Sequence, residues 1–143
     1  MEFFLPFNIK DYPFKISYQD KILFIGSCFS EEIGNKLKEL KLNVVQNPNG
    51  ILYDPLSISD ALFSYIEKKP FDEENLFQLN GLWHSWKHHS VFSGADKKDV
   101  LKKINASQSG THAFLKEANF LIITLGTAFY YQLKDDNKNV ANC

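Results

Sequence analysis

The run Lys21-Ile22-Leu23-Phe24-Ile25-Gly26 constrains this chain more than any other segment. It is short, continuously apolar and closed by glycine, the pattern of a strand buried on both faces of a parallel sheet. Ser27-Cys28-Phe29-Ser30-Glu31-Glu32 follows at once. Ser30 is a good helix N-cap, and two acids in the first turn suit the positive end of a helix dipole. Ile33, Leu37 and Leu40 recur at helical spacing, which predicts an amphipathic helix over residues 31–40. Leu42-Asn43-Val44-Val45 predicts the next strand. Strand, turn, helix and strand in this order imply a right-handed crossover and a parallel pair, hence an α/β fold.

The remaining elements follow the same logic. Asn47-Pro48-Asn49-Gly50 is a loop, because each residue is a turn former. Ser57 is placed to cap a helix running to about Lys68, with Asp60 in the capping-box position. Its apolar face is Ile58, Ala61, Leu62, Tyr65 and Ile66. Asn80-Gly81 signals a hairpin between Leu76–Leu79 and Leu82–Ser85. Residues 96–118 read as helix, with Val100, Leu101, Ile104, Phe114 and Leu115 inward and Gly110 bending or splitting it. Residues 120–126 form a third buried strand, and right-handed crossovers place 21–26 between it and 42–45. Residues 128–133 and 138–142 read as two further strands around Asp135-Asp136-Asn137. Residues 1–20, aromatic and punctuated by proline, read as an N-terminal arm packed on the domain.

Composition narrows the functional classes. The chain has 143 residues, one domain at about 150 residues per domain, so 1–143 is read as a single domain. The formal charge of -1 argues against binding nucleic acid or an anionic membrane. All 16 basic residues are lysine, which removes every bidentate guanidinium clamp for carboxylate or phosphate. Cys28 and Cys143 are far apart, which speaks against a disulfide framework and fits a reducing, cytoplasmic compartment. The start, Met1-Glu2-Phe3-Phe4-Leu5-Pro6, lacks the basic n-region of a signal peptide. No apolar run approaches the ~20 residues needed to span a bilayer.

Ser27 is the most informative position for chemistry. It lies where a buried strand ends and a helix begins, and ligands of open parallel sheets bind at that edge. A hydroxyl there faces the cleft, with helix-terminal N–H groups close enough to hold an oxyanion. The competing reading is an ordinary turn residue. Cys28 is the better intrinsic nucleophile, but cysteine is so often buried that Cys28 reads as a small core residue. A nucleotide site is disfavoured, because residues 26–30 lack the further glycines that admit a pyrophosphate.

The pentapeptide Gly26-Ser27-Cys28-Phe29-Ser30 resembles the signature of the GSCFA-domain family, with Ser30 in place of the usual Ala. Four further segments resemble that family in order. They are Asn47-Pro48-Asn49-Gly50-Ile51, Trp83-His84-Ser85-Trp86-Lys87-His88-His89-Ser90, residues 121–130 and Val140-Ala141-Asn142-Cys143. The family is grouped with SGNH/GDSL-like hydrolases, mostly esterases and acyl-hydrolases. The resemblance therefore implies a three-layer α/β/α SGNH-like fold with a mostly parallel central sheet. It implies Ser27 as nucleophile, with oxyanion donors at Ser27 and Gly50. The Asn of the family's third block is absent; Gly126-Thr127-Ala128 stands in its place, so Thr127 or Asn47 would donate instead. The implied substrate is an ester, on a small molecule or a carbohydrate, and no cofactor is called for.

The larger departure concerns the base. No Asp-x-x-His occurs in the chain. Members of the family are longer and carry it in a second half, so the resemblance implies an N-terminal fragment, inactive alone, with the C-terminal portion of the fold missing. A sheet left partly bare would then favour self-association. The histidines present are His84, His88, His89 and His112. His84 and His88 are four apart, but the zincin glutamate is replaced by Ser85 and no third ligand has clear spacing, so no metal site is expected. The resemblance favours His84, with Gly126, as lining the substrate pocket. The alternative to a hydrolase is a non-catalytic remnant or binding module that keeps the sheet and cleft.

Overall fold

A computed structural model describes residues 10–141. Strand β1 (Lys21–Gly26) lies between β2 (Asn43–Gln46) and β5 (Phe120–Thr124), and both pairings are parallel. This is the expected order with the first strand central. Four consecutive residues of β1, Ile22 to Ile25, are buried. They alternate between two cores, as the period of a strand requires. Ile22 and Phe24 pack with Val44 and with Ile33 and Leu37 of helix α1 (Cys28–Glu39). Ile25 packs on Leu52 and on Ile58, Ala61 and Tyr65 of helix α2 (Pro55–Glu67).

The third strand departs from its expectation. Phe120 and Ile122 pack into the α1-side core. Leu121, Ile123 and Leu125 remain 45%, 46% and 60% exposed. β5 is the sheet edge, and among the described residues no element covers this half of its second face. A shallow apolar groove of about 430 Å³ runs there, between Ile123 and Leu125 and the Ile58, Phe63 and Ile66 side of α2. Ile66, expected in the apolar face of that helix, is therefore exposed.

Both early helices begin before the expected cap. α1 starts at Cys28, with Ser27 in the N-cap position but making no side-chain cap bond. Ser30 is an interior helix residue, fully buried. α2 starts at Pro55, capped by Asp54, whose Oδ1 accepts the Ser57 N–H at 2.8 Å. Asp60 is not a cap partner; its carboxylate pairs with Lys87. Helix α3 (Lys97–Leu115) runs unbroken through Gly110 and is capped by Asp96. Glycine in a helix interior costs only about 1 kcal/mol, which the packing of Val100 and Ile104 offsets.

Strands β3 (Leu76–Leu79) and β4 (Leu82–Ser85) form the expected hairpin. Asn80 and Gly81 both have positive φ, 50° and 79°, as a type I′ turn demands. Strands β6 (Tyr131–Gln132) and β7 (Asn139–Val140) pair antiparallel but are much shorter than 128–133 and 138–142. Their ribbon is held to the hairpin by Ala141 N–H on the Trp86 carbonyl, 2.7 Å. Residues 10–19 do not pack on the domain: Tyr12, Phe14 and Tyr18 are exposed. Residues 1–9, Asn142 and Cys143 lie outside the described residues.

Two features carry stability consequences. Gly26 has φ +137°, and a Cβ there would lie 2.0 Å from the Thr124 carbonyl oxygen. His88 is buried in the hairpin core, edge-on to Phe71 at 5.0 Å and 5.4 Å from Phe92. Burial, aided by the neighbouring Lys87 charge, pushes its pKa from the ordinary 6.5 down to about 4. Between those values the unfolded chain binds the proton and the folded chain does not, so stability falls as pH drops through this window.

Gly26→Ala should therefore lose on the order of 3 kcal/mol or more in urea unfolding. A loss below about 1 kcal/mol would mean that the strand junction yields easily. For His88, unfolding free energy measured from pH 7 to pH 4 should fall by up to ~3 kcal/mol more in the natural chain than in His88→Gln. Equal slopes would show that His88 titrates alike in the folded and unfolded chains, so that burial does not hold its pKa down.

Candidate functional site

Three strand ends meet at one edge of the sheet. Gly26 of β1 is in register with Thr124 of β5, so Ser27 emerges beside that threonine. The loop after β2 closes in from the other side. Asn47 Oδ1 accepts the Gly26 N–H at 2.9 Å, and Leu52 N–H reaches the Gly26 carbonyl at 2.9 Å. The turn after β5 is fixed by Gly126 and Thr127, whose N–H groups both donate to the Tyr53 carbonyl, at 2.9 and 3.2 Å. Ser27, Asn47, Gly50, Gly126 and Thr127 are thus carried by adjoining segments, as expected from a parallel sheet.

Ser27 is 7% exposed. Its Oγ lies 3.0 Å from Thr124 Oγ1, and its N–H is shared between the Thr124 carbonyl at 3.0 Å and Oγ1 at 3.1 Å. Ser30 Oγ reaches the same Thr124 Oγ1 at 2.7 Å. The hydroxyls of Ser27, Ser30 and Thr124 therefore form a cluster of three centred on Thr124. This cluster was not legible in the sequence; the one available sign was the register that an apolar parallel pair imposes.

The remaining N–H donors are also engaged. Gly50 N–H donates to the Asn47 carbonyl at 2.7 Å. Asn47 Nδ2 makes two long bonds, 3.5 Å to the Ser27 carbonyl and 3.3 Å to Glu31 Oε2. Thr127 Oγ1 accepts the Phe129 N–H at 3.0 Å. An oxyanion at this edge would compete with these acceptors for the N–H groups, of which Asn47 Nδ2 is held by the longest bonds. The Thr127 hydroxyl acts only as an acceptor, and its proton has no partner among the described residues.

Cys28 is exposed, not a core residue. It occupies the first position of α1, and the helix turns Ser30 inward in its place. No histidine is bonded to Ser27 among the described residues. His84 Nδ1 bonds Ser93 Oγ at 2.7 Å, and its ring stacks on Phe77 at 5.4 Å. His88 Nδ1 bonds Ser85 Oγ at 2.8 Å, and His112 Nδ1–H donates to the Tyr65 carbonyl at 2.7 Å. The histidine that meets the 47–50 loop is His89, whose N–H donates to Asn49 O at 2.8 Å. A Cβ on Gly50 would lie 2.2 Å from His89 Cβ, and Gly50 has φ +81°, so only glycine fits this contact.

A cleft of about 610 Å³ lies elsewhere, between α2, the hairpin and the β6–β7 ribbon. His88, Trp86, Asn49 and Gln108 line it, and Ser27 does not. Among the described residues no group of three or more His, Cys, Asp or Glu side chains is arranged to hold a metal ion.

No curated protein and no solved structure matches the chain. A family model described as the GSCFA family matches residues 21–143. With the match covering every strand and helix of the described residues, the chain belongs to the GSCFA family.

Proposed function

We propose that the chain carries the nucleophile-bearing part of a serine hydrolase of the SGNH-like kind, acting on an ester of a small molecule or a carbohydrate. The observation that carries this reading is the position of Ser27. It is the first residue beyond a central parallel strand, at the carboxyl edge of the sheet, inside the segment for which the family is named. Ser27 Oγ attacks the ester carbonyl. Asn47 Nδ2 and the N–H groups of Ser27, Gly50 and Thr127 are the donors proposed for the oxyanion, with Gly126 and His84 proposed to border the substrate.

The general base comes from outside the described residues. Among the described residues the only bond of Ser27 Oγ is to Thr124, and a serine without a base is a weak nucleophile at neutral pH. The 143 residues alone then turn over slowly. A second reading, a binding module that keeps the sheet without catalysis, draws support from the near-burial of Ser27 and from the occupied N–H groups around it.

A fluorophosphonate probe and p-nitrophenyl acetate separate the two. The 143-residue chain should hydrolyse the ester barely above background. Fusing it to the second half of a longer GSCFA-family member, which supplies the Asp-x-x-His, should raise the rate by ~10³-fold or more. Probe labelling should then map to Ser27 and vanish in Ser27→Ala. Labelling at Cys28, or full activity in Ser27→Ala, would refute the nucleophile. Failure of the fused chain to label at all would favour the binding module.

A further inference from the structure

Only one arrangement of protons gives both the Ser30 and the Thr124 hydroxyl proton an acceptor within the cluster. Thr124 Oγ1 has one proton to give and two lone pairs to receive. One lone pair takes its share of the Ser27 N–H at 3.1 Å. Ser30 Oγ, 2.7 Å away, and Ser27 Oγ, 3.0 Å away, compete for the proton and the second lone pair.

Ser30 decides the competition. It is fully buried on the inner face of α1, and among the described residues Thr124 Oγ1 is the sole partner its hydroxyl has. If Thr124 donated to Ser30, the Ser30 proton would be buried with no acceptor, an arrangement that folded proteins avoid. Ser30 therefore donates to Thr124. The Thr124 proton is then left to point at Ser27 Oγ. We infer that Ser30 and Thr124 form a directed hydroxyl relay that donates a hydrogen bond to Ser27 Oγ and leaves the Ser27 proton free to depart.

The direction matters for reactivity. A nucleophilic serine must lose its proton, and its oxygen gains negative charge as it does so. A hydrogen bond received by that oxygen strengthens as the charge grows, whereas a proton donated to Thr124 would have to be withdrawn first. Thr124 thus touches the reacting atom, and Ser30 is a positioning residue that acts through Thr124. Ser30 stands where the family signature has Ala, so this chain has one hydroxyl more than the signature requires. The inference rests on Ser27 being the nucleophile, and its test keeps the two claims apart.

Neutron diffraction from crystals exchanged into D₂O reads the proton order directly. The deuteron between Thr124 and Ser27 should sit on Thr124 Oγ1, and that between Ser30 and Thr124 on Ser30 Oγ. A deuteron on Ser27 Oγ directed at Thr124 would overturn the relay, whatever Ser27 does chemically. Reactivity is read by intact mass with the fluorophosphonate at alkaline pH, where hydroxide replaces the absent base. There Ser27 Oγ bonds phosphorus, fluoride leaves and hydroxide takes the proton. Thr124→Val should slow labelling by ~10-fold or more, and Ser30→Ala by roughly two- to tenfold. Thr124→Ser, which keeps the hydroxyl, should label near the natural rate. Natural rates in both Thr124→Val and Ser30→Ala, with labelling still abolished by Ser27→Ala, would overturn the relay and spare the nucleophile. Should Thr124→Val fail to fold, Ser30→Ala against Thr124→Ser decides. Undiminished labelling of Ser27→Ala would instead refute the nucleophile, leaving the neutron result to judge the proton order.

Discussion

The site depends on how closely β1 approaches β5 at Gly26. That residue is in register with Thr124, and the space a side chain would fill is occupied by the Thr124 carbonyl. Because nothing intervenes, the next N–H, that of Ser27, reaches both oxygens of Thr124. The same approach sets where α1 begins. With Ser27 anchored to β5, the chain turns into helix at Cys28, and one turn later Ser30 is delivered to the same threonine. Strand pairing, helix start and hydroxyl cluster are thus one packing event. Widening the gap at Gly26 would undo all three.

Much of this architecture was legible because β1 is buried on both faces, which writes a continuous apolar run into the sequence. The hairpin was legible for a local reason, since few dipeptides besides Asn80-Gly81 suit two successive positive φ angles. Where several local signals compete, tertiary contacts decide. Ser30 has the composition of an N-cap, but its hydroxyl is bonded across 94 residues of chain to Thr124, and capping rules see nothing at that distance. For α2 the sequence did hold the answer: Asp54-Pro55 pairs a capping residue with proline at the first helical position, a stronger start than Ser57. β5 was half legible. Its five apolar-rich residues match a doubly buried strand, but sequence does not say that one face lies at an edge.

The histidine-rich segment shows why side-chain roles were harder to read than elements. His84, His88 and His89 fall within six residues, yet each meets different surroundings. His84 stacks on its hairpin partner Phe77, His88 is sunk among Phe71 and Phe92, and His89 lies against Gly50. What separates them is the turn after β4, which changes the side-chain direction from the strand's alternation to that of a 3₁₀ turn at Ser90–Phe92. Cys28 was misread for a similar reason. Its exposure follows from the helix starting three residues earlier than a cap at Ser30 would dictate, which rotates the thiol outward.

The occupied donors at the sheet edge bear on how such a site could favour a transition state over a substrate. Ser27, Gly50 and Thr127 N–H groups each point at a neutral protein carbonyl, and Asn47 Nδ2 bridges two acceptors at long range. A neutral ester oxygen offers them nothing better than they already have, so it gains little by displacing those partners. An oxyanion does, because bonds to a charged acceptor are roughly twice as strong as neutral ones. Donors held by weak internal acceptors therefore exchange only as charge develops, and their contribution falls on the transition state more than on the bound substrate. Asn47 can join this exchange because both of its Nδ2 bonds are long, although one of the acceptors is the Glu31 carboxylate. Its Oδ1 is fixed by the Gly26 N–H at 2.9 Å, which holds the amide in place while its Nδ2 remains loosely committed. The side chain that secures the strand junction would then also present a donor beside Ser27.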